Sequence, residues 1–416
     1  MKTETLTLQK FVYGGETLGR LSDGRAVFVP YAFPGETVRV RLVEDKKRYA
    51  RAELVEVLTA SEKRIEPRCP HYFTPTPAGG AACGGCHYQH IPYQEQLQLK
   101  SDVLIDQLER LGKIEDTPIQ PIVASPQPWN YRNHVQFHIS PEGRLGFQSP
   151  RSQGIIPIDE CHLPAAAINE LWPQLDMESI PGLDRVGVRV GADDDLLVVL
   201  ESSDPQPVSL DIDIPISVVH LGPGGRLVLA GDDHVVIAVD EQLFRVSAAA
   251  FFQVNIPMAE KMVHHLLDNL PLSEETTIID AYCGVGLFSA FLAPHVGRLV
   301  GIESSPAACA DFVINLDKFD NVELYEAPAE AALPKLDMHP EIIVVDPPRS
   351  GLDRHALDGI LSLEPDTLAY VSCDPATLSR DAKRLTRGGY QLQQITPFDL
   401  FPQTYHIESI SFWVKA

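Results

Sequence analysis

The sequence predicts a multidomain α/β protein: a small β-barrel first, a β-rich middle, and a C-terminal open sheet wrapped by helices. Three observations carry this. Short strands punctuated by Gly, Pro and Asp crowd residues 1–58, the rhythm of a small barrel. Strand-like segments dominate 129–240. From about residue 255, continuous apolar strands alternate with helical stretches, which indicates a parallel sheet covered on both faces. At 416 residues the chain exceeds one ordinary core, and 44% hydrophobic with 22% charged content is that of a globular protein. The expected domains are 1–58, 59–250 and 251–416.

In the barrel, the segments 11–15, 26–30, 37–43 and 52–57 read as strands. Residues 69–90 read as a loop rich in Cys, Gly and Pro. Residues 91–112 read as a helix, with Leu97, Val103, Leu104, Leu108 and Leu111 near helical spacing, and it is expected to pack on the C-terminal domain. Val135–Ile139, Leu196–Leu200 and Val235–Val239 read as strands of the middle region. The helix 256–270 leads into the apolar strands Thr277–Asp280, Leu299–Glu303, Ile342–Asp346, Leu368–Ser372 and Ile410–Val414.

The net charge of −23 argues, at face value, against a polyanion partner. Its distribution softens that. The first 68 residues hold 13 Lys/Arg against 10 Asp/Glu, so a basic end sits on an acidic body. Lys46, Lys47, Arg48 and Arg51 form a basic turn that suits phosphate contacts or is an ordinary solvated hairpin tip. No apolar run reaches bilayer length, and the opening residues lack a signal-peptide core. A cytoplasmic monomer without a membrane partner is expected. The seven cysteines are odd in number and follow no secretion signal, which favours metal or catalytic use over disulfides.

Asp280-Ala281-Tyr282-Cys283-Gly284-Val285-Gly286 is a glycine-rich strand-to-helix turn. Its glycines let the backbone approach a ligand beside a helix N-terminus. Glu303 ends the next strand, where a carboxylate can bind a ribose diol. The Gly-x-Gly-x-x-Gly spacing of dinucleotide sites is absent, and Asp346 ends a further strand before two prolines. Together these favour S-adenosylmethionine as cofactor. Arg349 and Ser350 follow, to orient substrate or stabilise the loop.

Cys373 follows a buried strand in Ser372-Cys373-Asp374-Pro375, at the sheet end where open α/β folds bind ligands. Helix N-terminal amides there favour a thiolate. A thiolate suits methyl transfer to uracil C5, because adding it to C6 gives C5 carbanion character. A base must then take the C5 proton; Glu408 is the candidate and His406 its rival. Any single cysteine also has a plain reading as buried filler, which Cys309 receives. Cys83-Gly84-Gly85-Cys86, with Cys69 before and Cys161 after, forms a candidate four-thiolate set for zinc or a [4Fe–4S] cluster, or simply buried thiols.

These motifs in combination resemble the RNA uracil-5-methyltransferases, in the branch with an N-terminal TRAM domain and an iron–sulfur cluster. The carriers are Asp346-Pro347-Pro348-Arg349-Ser350-Gly351, Ser372-Cys373-Asp374-Pro375-Ala376-Thr377-Leu378 and the segment Phe401-Pro402 to Glu408. The resemblance spans nearly the whole chain. It implies a TRAM/OB-like barrel, an iron–sulfur middle domain and a Rossmann-like S-adenosylmethionine methyltransferase domain. It implies Cys373 as nucleophile and Glu408 as proton acceptor. It places Gln253, Tyr282, Glu303 and Asp346 in the cofactor pocket, and a [4Fe–4S] cluster on Cys69, Cys83, Cys86 and Cys161. The 13-residue gap between Cys69 and Cys83 is longer than the family's usual one. Gln403 and Tyr405 stand where the family usually has histidine, and Leu287 where it is often polar.

The expected activity is therefore C5-methylation of a uridine in structured RNA, with 23S rRNA first and tRNA second. The rivals are a non-catalytic iron–sulfur RNA-binding protein and an amino-methyltransferase, which needs no covalent cysteine.

Overall fold

The computed structural model describes residues 2–76, 82–150, 154–175, 177, 182–204 and 212–416. Strands Thr3–Val12 (β1), Glu16–Arg20 (β2), Ala26–Pro30 (β3), Thr37–Asp45 (β4) and Tyr49–Thr59 (β5) close into a barrel of order β1-β2-β3-β5-β4. Leu6, Leu8, Val27, Val29, Val38, Val40, Ala50, Ala52 and Leu54 alternate inward and fill it. The segment 11–15, expected as a strand, is instead the end of β1 and its turn. Gly14 and Gly15 have φ of 98° and 77°, which breaks the ladder. The true strand lies upstream, where Leu6 and Leu8 alternate with polar residues.

Helix Tyr93–Gln107 (α1) follows, extended by a π-helical turn at Leu108–Gly112. The middle region holds His134–Ile139 (β6), Leu145–Gln148 (β7), Ile155–Pro157 (β8), the short helix Ala166–Leu171 (α2), Leu183–Val190 (β9), Leu196–Ser202 (β10), Ser217–Gly222 (β11) and Gly225–Ala230 (β12). These strands make one sheet of order β12-β11-β10-β9-β6-β7-β8. A hairpin, His234–Val239 (β13) and Gln242–Ser247 (β14), packs its apolar side into one core shared by the C-terminal unit and by Leu197, Val199 and Val219 of that sheet.

The C-terminal unit runs Ile256–Asn269 (α3), Thr277–Ala281 (β15), Leu287–Leu292 (α4), Arg298–Glu303 (β16), Pro306–Leu316 (α5), Val322–Glu326 (β17), Ala329–Ala332 (α6), Ile342–Val345 (β18), Arg354–Leu363 (α7), Thr367–Ser372 (β19), Pro375–Arg387 (α8), Tyr390–Phe398 (β20) and Glu408–Lys415 (β21). Its sheet order is β17-β16-β15-β18-β19-β21-β20. The first five are parallel, and β21 inserts antiparallel between β19 and β20. Every residue of β18 and β19 is buried, as expected for strands covered on both faces. α3, α4, α5 and the hairpin cover one face; α1, α7 and α8 cover the other.

One buried ion pair ties α1 to the segment before β21. Lys100 Nζ lies 2.5 Å from Asp399 Oδ1, both side chains essentially inaccessible, and also donates to the Phe401 carbonyl. Among the described residues no helix is long and apolar enough to cross a membrane.

Candidate active site

The strand order reverses at β15, with β16 on one side and β18 on the other, and ligands bind at such a switch point beyond the carboxyl strand ends. Tyr282 follows β15, Glu303 ends β16, Asp346 follows β18 and Cys373 follows β19. Because β21 runs the other way, its first residue lies at this same edge. Ser372 pairs with Ser409, so Cys373 and Glu408 are the next pair outward. The backbone register alone therefore brings together two residues far apart in sequence.

The loop 282–286, the expected cofactor loop, is held in a conformation side chains rarely adopt. Tyr282 has φ of 64°, and Gly284 and Gly286 have 56° and 94°. A Cβ on Gly284 would meet open space, whereas one on Gly286 would strike Leu316 at 2.3 Å. Glu303 fastens the loop to the next helix: its carboxylate accepts from the amides of Gly284, Ser304 and Ser305. Ser305 and Pro306 then start α5 as cap and first-turn proline. Gln253 is buried in the segment before α3, where its carbonyl accepts from Asn133. Leu287 is buried in α4 and presents no polar atom.

The carboxyl groups here are crowded. Burial pushes Asp280 up to about 7, although Ser289 donates to one of its oxygens. Its other oxygen is buried without a hydrogen-bond partner among the described residues. Burial and the neighbouring Asp280 push Asp346 up to about 7 as well. Glu408 is raised well above the usual carboxylate range by burial and then by Asp346, with Arg349 opposing. Burial, Glu408 and Asp346 push the Cys373 thiol up to about 12, and Arg349 pulls it down. Arg349 is thus the cation facing both groups, a role its sequence position left open.

His406, the rival base, is pushed down to about 2 by burial and by Arg349 beside it. Gln403 is tied to its neighbours: its side-chain oxygen accepts from Gln96, its backbone amide donates to Gln96, and its carbonyl accepts from His87 and Tyr88. It holds the segment in place. Phe251, which sequence reasoning passed over, is 69% exposed.

Cys69, Cys83, Cys86 and Cys161 line one cavity of about 470 Å³, together with Arg132, Arg349, Phe251 and Val254. Burial raises all four thiols, Cys83 to about 12. The expected metal group gains no support from ion-site geometry. Among the described residues, no group of three or more His, Cys, Asp or Glu converges on a single ion. The loop expected at 69–90 has neither helix nor strand in its described part; residues 77–81 lie outside the described residues.

Comparison with known proteins gives the family of the chain. The family model described as tRNA (Uracil-5-)-methyltransferase matches residues 213–416, and the TRAM domain model matches residues 2–55. An RNA methyltransferase of Aquifex aeolicus is 37% identical, covering 98% of this chain and 97% of the relative. One of Streptomyces avermitilis is 33% identical, covering 97% of this chain and 96% of its own length. The crystal structure of Pyrococcus abyssi tRNA (uracil-54, C5)-methyltransferase with S-adenosyl-L-homocysteine shares the fold. Its TM-score is 0.75 and its identity 23%, covering 99% of this chain and all of that one. A purely RNA-binding, non-catalytic role is thereby set aside. With a TRAM barrel before an S-adenosylmethionine methyltransferase sheet, this chain belongs to the RNA uracil-5-methyltransferases.

Proposed function

We propose that this enzyme methylates C5 of a uridine in 23S rRNA through a covalent bond between Cys373 Sγ and uracil C6. The observation that carries the reading is the β19–β21 register, which sets Cys373 beside Glu408 at the ligand-binding edge. Uracil C5 is a weak nucleophile. Attack of the Cys373 thiolate on C6 moves the ring electrons toward C5, and Arg349 is the cation that favours that thiolate. S-Adenosylmethionine, when bound, supplies an electrophilic methyl group. Once C5 carries the methyl, Glu408 removes the C5 proton; those electrons restore the C5–C6 double bond, and the C6–S electrons return to Cys373. A carboxylate whose affinity for protons is raised is a better acceptor than an imidazole held neutral at low pH.

Gln253, Tyr282, Glu303 and Asp346 are assigned to the cofactor. The partnerless Asp280 oxygen and the raised Asp346 suit a cationic ligand, and Glu303 at its strand end suits a ribose. Cys69, Cys83, Cys86 and Cys161 are assigned to one [4Fe–4S] cluster. A four-iron cube is larger than one ion and takes thiolates that surround a cavity without meeting at a point. Arg132, beside Cys86 and Cys161 with no carboxylate partner among the described residues, offers charge to an anionic group there. The bound cluster would supply fold and charge, since the methyl transfer moves no net electrons. Protein purified without oxygen should be brown, with about four irons per chain. Colourless protein holding one zinc overturns the cluster.

A tRNA uridine is the second reading, favoured by the description of the matching family model. Methylation of 23S rRNA and tRNA transcripts, followed by mapping of 5-methyluridine, separates the two. Product confined to tRNA moves the assignment there.

A further inference from the structure

The turn after β1 reaches out of the barrel and into the active-site edge. Gly15 makes room for this: a Cβ there would come within 3.0 Å of Tyr405. Tyr13, in the same turn, donates its phenol proton to Asp374 Oδ2 at 2.6 Å. Asp374 follows Cys373 directly. Its other oxygen accepts from the amides of Ala376 and Thr377 and so caps α8, the helix that starts at the nucleophile. The Tyr13 ring is wedged edge-on against Tyr405, in a cluster with Phe11, Phe33, Tyr88 and Ile407. Packing therefore fixes the phenol, and the phenol fixes the carboxylate.

We propose that Tyr13 of the barrel is a positioning residue for methyl transfer, holding Asp374 and through it the Cys373 turn. The inference rests on the reading of Cys373 as nucleophile. Its physical content is twofold. The hydrogen bond locks the side-chain rotamer that caps α8, and it draws the carboxylate's charge away from the sulfur. Asp374 is one of the groups that oppose ionisation of Cys373, so an unanchored Asp374 opposes it more. Burial keeps the Tyr13 phenol protonated and able to donate at any working pH.

The test uses full-length protein and transcripts of 23S rRNA and tRNA made with 5-fluorouridine. Fluorine at C5 cannot leave as a cation, so the covalent adduct persists and is counted on denaturing gels. Tyr13→Phe keeps the ring and removes only the hydroxyl. It should slow adduct formation about tenfold, as loss of one hydrogen bond to a charged group implies. It should also move the pH profile of adduct formation upward, with unchanged RNA and S-adenosylmethionine affinities and a melting transition that stays well above the assay temperature. Adding Asp374→Asn, which removes the charge but keeps an oxygen for the cap, should recover most of the rate. A Tyr13→Phe rate within twofold of wild type, or a slowing with no change in pH profile and no rescue by Asp374→Asn, overturns the positioning role. If wild type traps neither transcript, the covalent reading of Cys373 falls and takes this inference with it.

Discussion

Cys373 and its neighbouring carboxyl groups set how single substitutions and pH should act. On the mechanism proposed above, Glu408→Gln takes away the proton acceptor and spares the nucleophile, so methyl transfer should proceed once and stall as a protein–RNA adduct. Normal turnover in that variant returns the role to His406 or water. Asp280 and Asp346 give a second prediction. Burial lifts both from 3.8 to about 7, above their unfolded values. The stability linked to their protonated forms is complete below about pH 4 and is lost as pH rises through about 7. The cofactor-free protein should therefore melt lower at about pH 8 than at about pH 5.5. A sulfonium cation reverses the penalty on the charged forms, so S-adenosylmethionine should raise the melting temperature more at the higher pH. S-Adenosylhomocysteine, without that charge, should show a weaker trend. Equal cofactor shifts at both pH values would remove the electrostatic basis of this pocket.

Between elements, the Lys100–Asp399 pair pins α1 to the segment that delivers Glu408. Lys100→Met leaves a buried carboxylate unpaired and should cost about 3–5 kcal/mol in denaturant titration. Lys100→Met with Asp399→Leu should recover most of that, since both charges are then gone. A single variant as stable as wild type would show that water reaches Asp399. Elements differ in how plainly the sequence declares them. Ile342–Val345 and Leu368–Ser372 are unbroken apolar runs because they are buried on both faces, and they were legible. β17, Val-Glu-Leu-Tyr-Glu, was not, because an exposed edge strand carries charge. Gly14 and Gly15 hid a turn inside an apolar-looking segment. In the site, the motifs around Cys373 and Glu408 were legible, since chemistry restricts residue type there. The Tyr13–Asp374 contact was not: it joins positions 361 apart, and no local pattern announces a bond made only by docking.

Across the whole molecule, an acidic chain must hold an acidic polymer. Taking the target base out of its stack costs a few kcal/mol, which phosphate contacts help to offset. The barrel carries the basic excess, and its β4–β5 tip exposes Lys46, Lys47 and Arg48. Arg51 is already paired with Glu16 and Glu44, so it contributes less, and Lys46, also beside Glu44, exchanges that partner for phosphate. Replacing Lys46, Lys47 and Arg48 with Ala should weaken RNA binding and lower its salt slope by about 2–3, with cofactor affinity unchanged. An unchanged slope would make the tip an ordinary solvated hairpin. The antiparallel insertion of β21 has a consequence for how the enzyme is made. During synthesis β20 emerges before β21, yet it joins the sheet only through β21. A nascent chain that has completed β20 still leaves β19 unpaired along that side. The strand that closes the gap is the one that begins with Glu408. Assembly of this edge and delivery of the proposed base are one event, so a sheet closed here already holds Cys373 and Glu408 together.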